Sequence, residues 1–101
     1  MSEKRIHTTQ LIEILHQQLP LLTERYRVES LGLFGSYVRH EQRQGSDLDI
    51  LVTFYETPGL LKFIELENYL SVVMGVKVDL VMKDALKPRI GERILSEVVP
   101  V

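Results

Sequence analysis

The chain has 101 residues, of which 45% are hydrophobic and 26% are charged, and its formal net charge at pH 7 is −2. This composition is ordinary for a globular protein and excludes a wholly disordered chain, and the length predicts a single domain over residues 1–101. The slightly acidic charge balance lacks the basic surplus of proteins that grip nucleic acid by its phosphates, so no direct nucleic-acid binding is expected.

An amphipathic helix is predicted near the start of the chain. Apolar side chains recur at three- and four-residue steps from Leu11 to Leu22, and Thr8 or Thr9 can cap the helix ahead of them. Pro20 is expected to bend or end this helix, because proline lacks the backbone N–H that a helix interior uses.

The next segment predicts a strand, a glycine turn and a short helix. Residues 28–34 are apolar and are interrupted by Gly32, which indicates a buried strand with another group packed closely on that glycine. Gly35 and Ser36 end the strand, and the sequence SYVRHEQ at residues 36–42 is predicted to form a short helix.

The second half of the chain predicts two further strands and two further helices. Residues 47–54 and 76–82 alternate apolar and polar side chains, as half-buried strands do. One helix is predicted to begin at Pro58 and Gly59 and to end at Gly75, and another is predicted over residues 88–98. The apolar end, VVPV, indicates docking rather than fraying. The order α-β-α-β-α-β-α predicts an α/β or α+β domain whose short sheet is covered by helices.

The sequence also indicates the compartment. No apolar run approaches the roughly 18 residues that cross a bilayer, and the opening MSEKRIHTTQ has basic residues without an apolar stretch after them. The chain has no cysteine, which excludes disulfides and a thiol nucleophile and fits a reducing environment. We therefore expect a cytoplasmic protein that does not associate with membranes.

Three aspartates stand on the polar faces of the two later strands. Asp47 and Asp49 point the same way with Cα atoms about 6.6 Å apart, and Asp79 holds the equivalent position on the next strand. If these strands pair, three carboxylates converge, and such a cluster either holds a divalent cation or has a raised pKa. Carboxylate oxygens without nearby thiolate or imidazole favour Mg²⁺ or Mn²⁺ over zinc.

The pair Gly35 and Ser36 predicts the other half of a site. A strand that runs into a glycine turn and a helix start offers backbone N–H groups to an anion. The glycine lets a phosphate approach the backbone closely, and the serine hydroxyl can donate to it. Metal ions on the aspartates would bridge the same polyphosphate from the other side. The combination predicts phosphoryl or nucleotidyl transfer from a magnesium-bound nucleotide.

The segment GSYVRHEQRQGSDLD resembles the signature of the DNA polymerase beta nucleotidyltransferase superfamily, in which ten residues separate Gly-Ser from Asp-x-Asp. Asp79 in KVDLV matches the third carboxylate of that superfamily. The resemblance covers most of the chain and is to the minimal nucleotidyltransferase (MNT) family, the antitoxin partners of HEPN-domain ribonuclease toxins. It implies the nucleotidyltransferase fold, a short mixed sheet of about three strands packed with about four helices. His40 stands where glycine is frequent in that family, which bears on the loop shape alone.

The resemblance also implies the chemistry of the site. Two Mg²⁺ ions lie on the aspartates, the third aspartate helps to deprotonate the acceptor hydroxyl, and AMP passes from ATP to a tyrosine of the HEPN toxin. The chain is thus expected to act as an antitoxin within a hetero-oligomer. The implied roles fall on the catalytic and metal-binding residues Asp47, Asp49 and Asp79 and on the nucleotide-binding residues Gly35, Ser36 and Arg39.

Two alternatives stay open at this level. A degenerate transferase fold would neutralise its partner by binding alone, and a small-molecule transferase would modify a free substrate. Every catalytic position of the motif is intact, which favours an enzyme over a silent binder. The predicted elements use nearly every residue and leave no acceptor domain, which favours a protein acceptor. The nucleotide preference, the number of transfers, the acceptor residue and the stoichiometry are not determined by the sequence.

Overall fold

The computed structural model describes residues 8–101, which form three α-helices, one 3₁₀ turn and four β-strands. Residues 1–7, part of the segment from which a cytoplasmic location is predicted, lie outside the described residues. Among the described helices, none is long and apolar enough to cross a membrane. The elements in chain order are α1 (Thr8–Tyr26), β1 (Val28–Phe34), β2 (Leu48–Phe54), α2 (Leu60–Met74), β3 (Val78–Met82), the 3₁₀ turn Lys83–Ala85, α3 (Pro88–Glu97) and β4 (Val99–Pro100).

The strands form one mixed sheet in the order β3-β2-β1-β4. β1 is antiparallel to both β2 and β4, whereas β2 and β3 run parallel. A parallel pair needs a crossover connection, and α2 supplies it. Gly59 precedes α2 and Gly75 ends it with a left-handed φ of 74°, as the glycine punctuation of the sequence predicts. The mixed α+β architecture is confirmed, with a short fourth strand that the sequence does not predict.

Helices α1 and α2 cover one face of the sheet, and the apolar core lies between these helices and the sheet. Leu48, Ile50 and Val52 of β2 all point into this core, as the alternation of the strand predicts, and each is no more than 1% exposed. Burying an aliphatic side chain of this kind contributes about 1.5–3 kcal/mol, so the core fixes which residues of β2 face away from it. Other fully buried members of the core are Leu11, Leu15, Leu22, Val28, Leu33, Leu66, Leu70 and Val78.

Helix α1 continues through Pro20 to Tyr26 and does not end at the proline. Leu22 and Tyr26 lie on the continuation and are 0% and 3% exposed. The Tyr26 hydroxyl also donates a hydrogen bond of 2.9 Å to Glu65 of α2. Burial of the two side chains, at about 1.5–3 kcal/mol each, outweighs the roughly 3 kcal/mol cost of a proline inside a helix.

The last residues dock on the sheet, as the apolar VVPV segment predicts. β4 pairs with β1 opposite Gly32 and Leu33, and the Val101 N–H donates to the Leu31 carbonyl at 3.0 Å. A Cβ at position 32 would lie 2.6 Å from Cγ2 of Val98 and 3.4 Å from the Val99 carbonyl oxygen, so a larger residue would force Val98 to shift. The close packing predicted at Gly32 is therefore confirmed, and it sets the position of the end of α3.

Candidate active site

Two of the three aspartates are direct neighbours on the open face of the sheet. Asp49 of β2 and Asp79 of β3 are register partners in the parallel pair, on the face opposite the core. Asp79 is exposed and Asp49 is half-buried, so the pair is accessible. Asp47 is half-buried and lies immediately before β2. The regular alternation of the strands, which the core residues on the other face fix, places Asp49 and Asp79 on the same face.

Burial, together with the neighbouring carboxylates, raises the pKa of Asp49 from its ordinary value of 3.8 to about 6. Burial is the largest cause, since it disfavours the charged form. The negative charges of Asp79 and Asp47 and a hydrogen bond with Asp79 act in the same direction, while Arg39 acts against them. This face of the sheet is thus a place where a cation would relieve charge repulsion.

The donor set at this position consists of carboxylate oxygens. Asp49 and Asp79 are register partners, and the charges of Asp79 and Asp47 both act on the Asp49 carboxyl group. As the side chains stand, residues 8–101 contain no group of three potential ligands drawn close enough to enclose a metal ion. Hard oxygen donors without imidazole or thiolate suit Mg²⁺ or Mn²⁺. The chemistry of these residues therefore fits a hard divalent cation. Asp49 and Asp79 lie side by side on paired strands, and the charge of Asp47 acts on Asp49.

Replacing Asp49 with asparagine is expected to stabilise the metal-free protein at neutral pH. Because the folded-state pKa of Asp49 is raised, the folded protein binds more protons than the unfolded chain between about pH 4 and about pH 6. Stability is therefore lost as the pH rises through that range, and the uncharged Asp49→Asn variant avoids the loss. Discounted for partial exposure, the gain is about 1 kcal/mol, or about 4–8 °C in melting temperature.

Thermal unfolding in the presence of a chelator, followed by circular dichroism, measures this effect. The gain should disappear near pH 4, where Asp49 is protonated in the folded state and increasingly so in the unfolded chain. Asp84→Asn, in the exposed 3₁₀ turn, is the matched control and should leave the melting temperature unchanged. An Asp49→Asn protein that melts below the wild type at neutral pH would contradict the crowding of charge.

Gly35 lies directly against the Asp49 side chain. Its φ is +82°, in the left-handed region that favours glycine. A Cβ at position 35 would lie 2.9 Å from Cγ of Asp49 and would overlap Oδ2. The glycine thus has two functions at once, since it forms the turn after β1 and leaves room for the carboxylate beside the loop.

The segment after Gly35 forms consecutive hydrogen-bonded turns, and the prediction of a short helix there is wrong. The N–H groups of Val38 and Arg39 both donate to the Gly35 carbonyl at 3.1 Å, and the Glu41 N–H donates to the Ser36 carbonyl at 2.8 Å. His40 stops further helical winding because its φ is +59°. This left-handed conformation explains why a glycine would suit position 40.

The sequence does not predict the role of Glu97, the last residue of α3. Its Oε2 accepts a hydrogen bond of 2.9 Å from the Gly35 N–H. Arg39 Nη1 donates to both carboxylate oxygens of Glu97, at 3.2 and 3.1 Å. Gly35 and Arg39, two of the three residues predicted to hold phosphate, are therefore already bound to a carboxylate. Sixty-two residues separate Glu97 from Gly35, so no local pattern could have indicated the contact.

A cavity of about 180 Å³ opens beside this loop. Phe34 and Gly35 form one side of it, and α3 forms the other with Ile90, Ile94 and Glu97. Pockets that enclose a small-molecule ligand usually measure roughly 300–1,000 Å³, so this one is small for a whole nucleotide. The arrangement offers anion-binding groups, carboxylates and an opening within one region of the molecule.

Comparison with known proteins identifies the family. Residues 10–101 match the sequence family described as "Nucleotidyltransferase domain". A relative from Thermococcus cleftensis, named protein adenylyltransferase MntA, is 58% identical over 78 residues, which cover 77% of this chain and 79% of that protein. The family match includes nearly the whole described chain, and the identity is well above the level at which family membership is in doubt.

Solved structures agree with this result. A structure assigned to the minimal nucleotidyltransferases is 33% identical, with a TM-score of 0.77, over 98% of this chain and 100% of that one. A complex of a tri-AMPylated HEPN toxin of Shewanella oneidensis with an MNT antitoxin contains a chain of the same fold. The identity is 22% and the TM-score 0.59, over 91% of this chain and 66% of that one. The chain therefore belongs to the nucleotidyltransferases, and within them to the minimal family related to DNA polymerase beta.

Proposed function

We propose that the chain transfers AMP from ATP to a tyrosine hydroxyl of a HEPN-type ribonuclease toxin and thereby acts as its antitoxin. The observation that carries this proposal is the contact of Gly35 with Asp49, which is itself in register with Asp79. An anion-binding loop and a carboxylate pair thus lie side by side, the arrangement that a metal-bound triphosphate requires. The 58% identical relative, named a protein adenylyltransferase, supports the same activity.

The placement of the side chains supports the roles proposed for them. Asp47, Asp49 and Asp79 would hold two Mg²⁺ ions, with Mn²⁺ as a substitute. When bound, these ions would activate the acceptor oxygen and neutralise the charge of the departing pyrophosphate. Asp49 lies on the inner strand β2 and Asp79 on the neighbouring edge strand β3, so the position of the site is set by the core beneath these strands.

The loop residues would bind the nucleotide. The Gly35 N–H points to a carboxylate oxygen, so it is able to serve an anion, and the Arg39 guanidinium can bind two oxygens at once. Ser36 follows in the same turn and offers its hydroxyl. The tyrosine oxygen would then attack the α-phosphorus and pyrophosphate would leave, while Asp79, the most exposed of the carboxylates, would help to take the hydroxyl proton.

The acceptor would come from a second protein, in a hetero-oligomer. We propose that residues 1–101 act as one minimal catalytic domain, because the described elements build the sheet, its covering helices and the site. In the Shewanella oneidensis complex a chain of the same fold is accompanied by a HEPN toxin carrying three AMP groups. That association supports a HEPN-type partner and AMP as the transferred group.

A labelling experiment tests the proposal. The chain is incubated with Mg²⁺, ATP labelled at the α-phosphate and a HEPN-type protein, which is to be looked for in the adjacent reading frame. We expect label on the partner, and mass spectrometry should find AMP on a tyrosine. Neutralisation of the partner without any modification would contradict transfer and would favour the silent-binder alternative. Label on a small molecule alone would favour a small-molecule transferase.

A further inference from the structure

Glu97 binds the same groups that the proposed function assigns to phosphate. Its carboxylate accepts from the Gly35 N–H at 2.9 Å and from Arg39 Nη1 at 3.1 and 3.2 Å. A backbone N–H and a guanidinium on one pair of oxygens is the recognition pattern of a phosphate oxygen as much as of a carboxylate. A phosphate bound at Gly35 and Arg39 would therefore need the same donors as Glu97.

The Glu97 carboxylate is kept in its charged form. Its pKa is lowered, first by the hydrogen bond from the Gly35 backbone and then by the hydrogen bond and positive charge of Arg39, although burial acts in the opposite direction. Arg39 is held from a second side by Glu41, whose Oε1 accepts from Nε at 3.0 Å. The guanidinium is thus engaged by two carboxylates of this chain.

The fold places Glu97 at this position. β4 follows α3 directly and pairs with β1 beside Gly32 and Leu33, which anchors the chain just past Glu97. Val98 packs against Gly32, with a distance of 2.6 Å from its Cγ2 to the place of a Cβ. The backbone path therefore holds Glu97 beside Gly35 and Arg39.

Helix α3 is otherwise loosely held. Of its ten residues only Gly91 is buried, and Ile90 and Leu95 are 56% and 43% exposed. Segments with little buried apolar surface open at low free-energy cost. The cavity between the loop and α3, at about 180 Å³, is below the usual size of an enclosed ligand site. Enclosure of a whole nucleotide in this cavity would therefore need a movement of α3 or of its side chains.

We propose that Glu97 is a built-in competitor of the nucleotide: its carboxylate takes the place of a phosphate at Gly35 and Arg39, and the triphosphate must displace it to bind. This inference rests on the proposed function, since it concerns the same site. Arg93 lies one turn earlier on α3, lines the same cavity and attracts the Glu97 charge. It is the cation next to which the displaced carboxylate can settle.

Calorimetric titration with the non-hydrolysable analogue α,β-methylene-ATP in the presence of Mg²⁺ tests the competition. Glu97→Gln keeps the shape of the side chain and removes its charge, and we expect it to bind the analogue about tenfold more tightly than the wild type. Glu97→Asp withdraws the carboxylate by one methylene and should also bind more tightly. Glu92→Gln, an exposed carboxylate on the same helix, is the matched control and should leave the affinity unchanged.

The outcomes separate the inference from the proposed function. Equal or weaker binding by both Glu97 variants, with binding by the wild type, would overturn the competition and leave the nucleotide site in place, with Glu97 acting to position Arg39. Absence of binding by the wild type and by both variants would overturn the proposed function and this inference with it. Binding by the variants alone, or tighter binding by them, supports the competition.

Discussion

Asp49→Asn is expected to lower the rate of AMP transfer by about a thousandfold or more. Asp49 is the carboxylate between the Gly35 turn and Asp79, so it is the one best placed to serve the loop and the cation together. Loss of a charged metal ligand removes several kcal/mol of charge stabilisation, and each ~1.36 kcal/mol is a factor of ten in rate. Single-turnover transfer of labelled AMP to the HEPN-type partner measures the loss.

Unfolding cannot account for this loss of activity if the stability prediction also holds. The same substitution should raise the melting temperature of the metal-free protein, because it removes a crowded charge. Asp84→Asn changes the net charge equally at an exposed position and should keep the wild-type rate. Transfer by Asp49→Asn within tenfold of the wild type would show that this carboxylate does not serve the reaction.

Gly35→Ala is expected to reduce AMP transfer by about a hundredfold or more. The new methyl group would occupy the space of the Asp49 carboxylate, so either the side chain or the loop must shift. A displacement of about 1 Å at a reacting site can cost a hundredfold in rate. The backbone at position 35 also has a φ of +82°, which adds about 1 kcal/mol of strain for alanine.

Gly45→Ala separates strain from displacement. Gly45 has a φ of +90°, and within residues 8–101 no atom lies within 4 Å of the place of its Cβ. The two variants therefore share the backbone cost, while Gly35→Ala alone disturbs Asp49. We expect the Gly45 variant to lose stability but to keep its transfer rate within about twofold, since its methyl group enters open space and displaces no reacting group. Equal rates for both variants would show that the Gly35 contact has no part in the reaction.

The sheet and the aspartate pair were predictable because strand periodicity is a local property. Leu48, Ile50 and Val52 must face the core, and a period of two then places Asp49 on the other face. The same reasoning applies to Asp79, and parallel pairing brings the two into register. Gly32 was predictable for a related reason, since a glycine inside an apolar strand marks a close approach of other backbone.

Other features depend on contacts that no local pattern encodes. The turns after Gly35 do not continue as a helix because His40 takes a left-handed conformation, which the apolar pattern of the segment does not indicate. Pro20 does not end α1 because burial of Leu22 and Tyr26 outweighs the cost of the proline. The two residues of β4 are too short for a strand signal. Glu97 resembles any other charged helix residue until the fold brings it to the loop.

A crystal structure with Mn²⁺ and α,β-methylene-ATP would examine the site most directly, because anomalous scattering locates the manganese. We expect two manganese ions between the phosphates and Asp47, Asp49 and Asp79, with phosphate oxygens on the Gly35 N–H in place of the Glu97 carboxylate. A nucleotide bound elsewhere on the protein, or manganese away from these three side chains, would contradict the assignment of this face of the sheet as the active site.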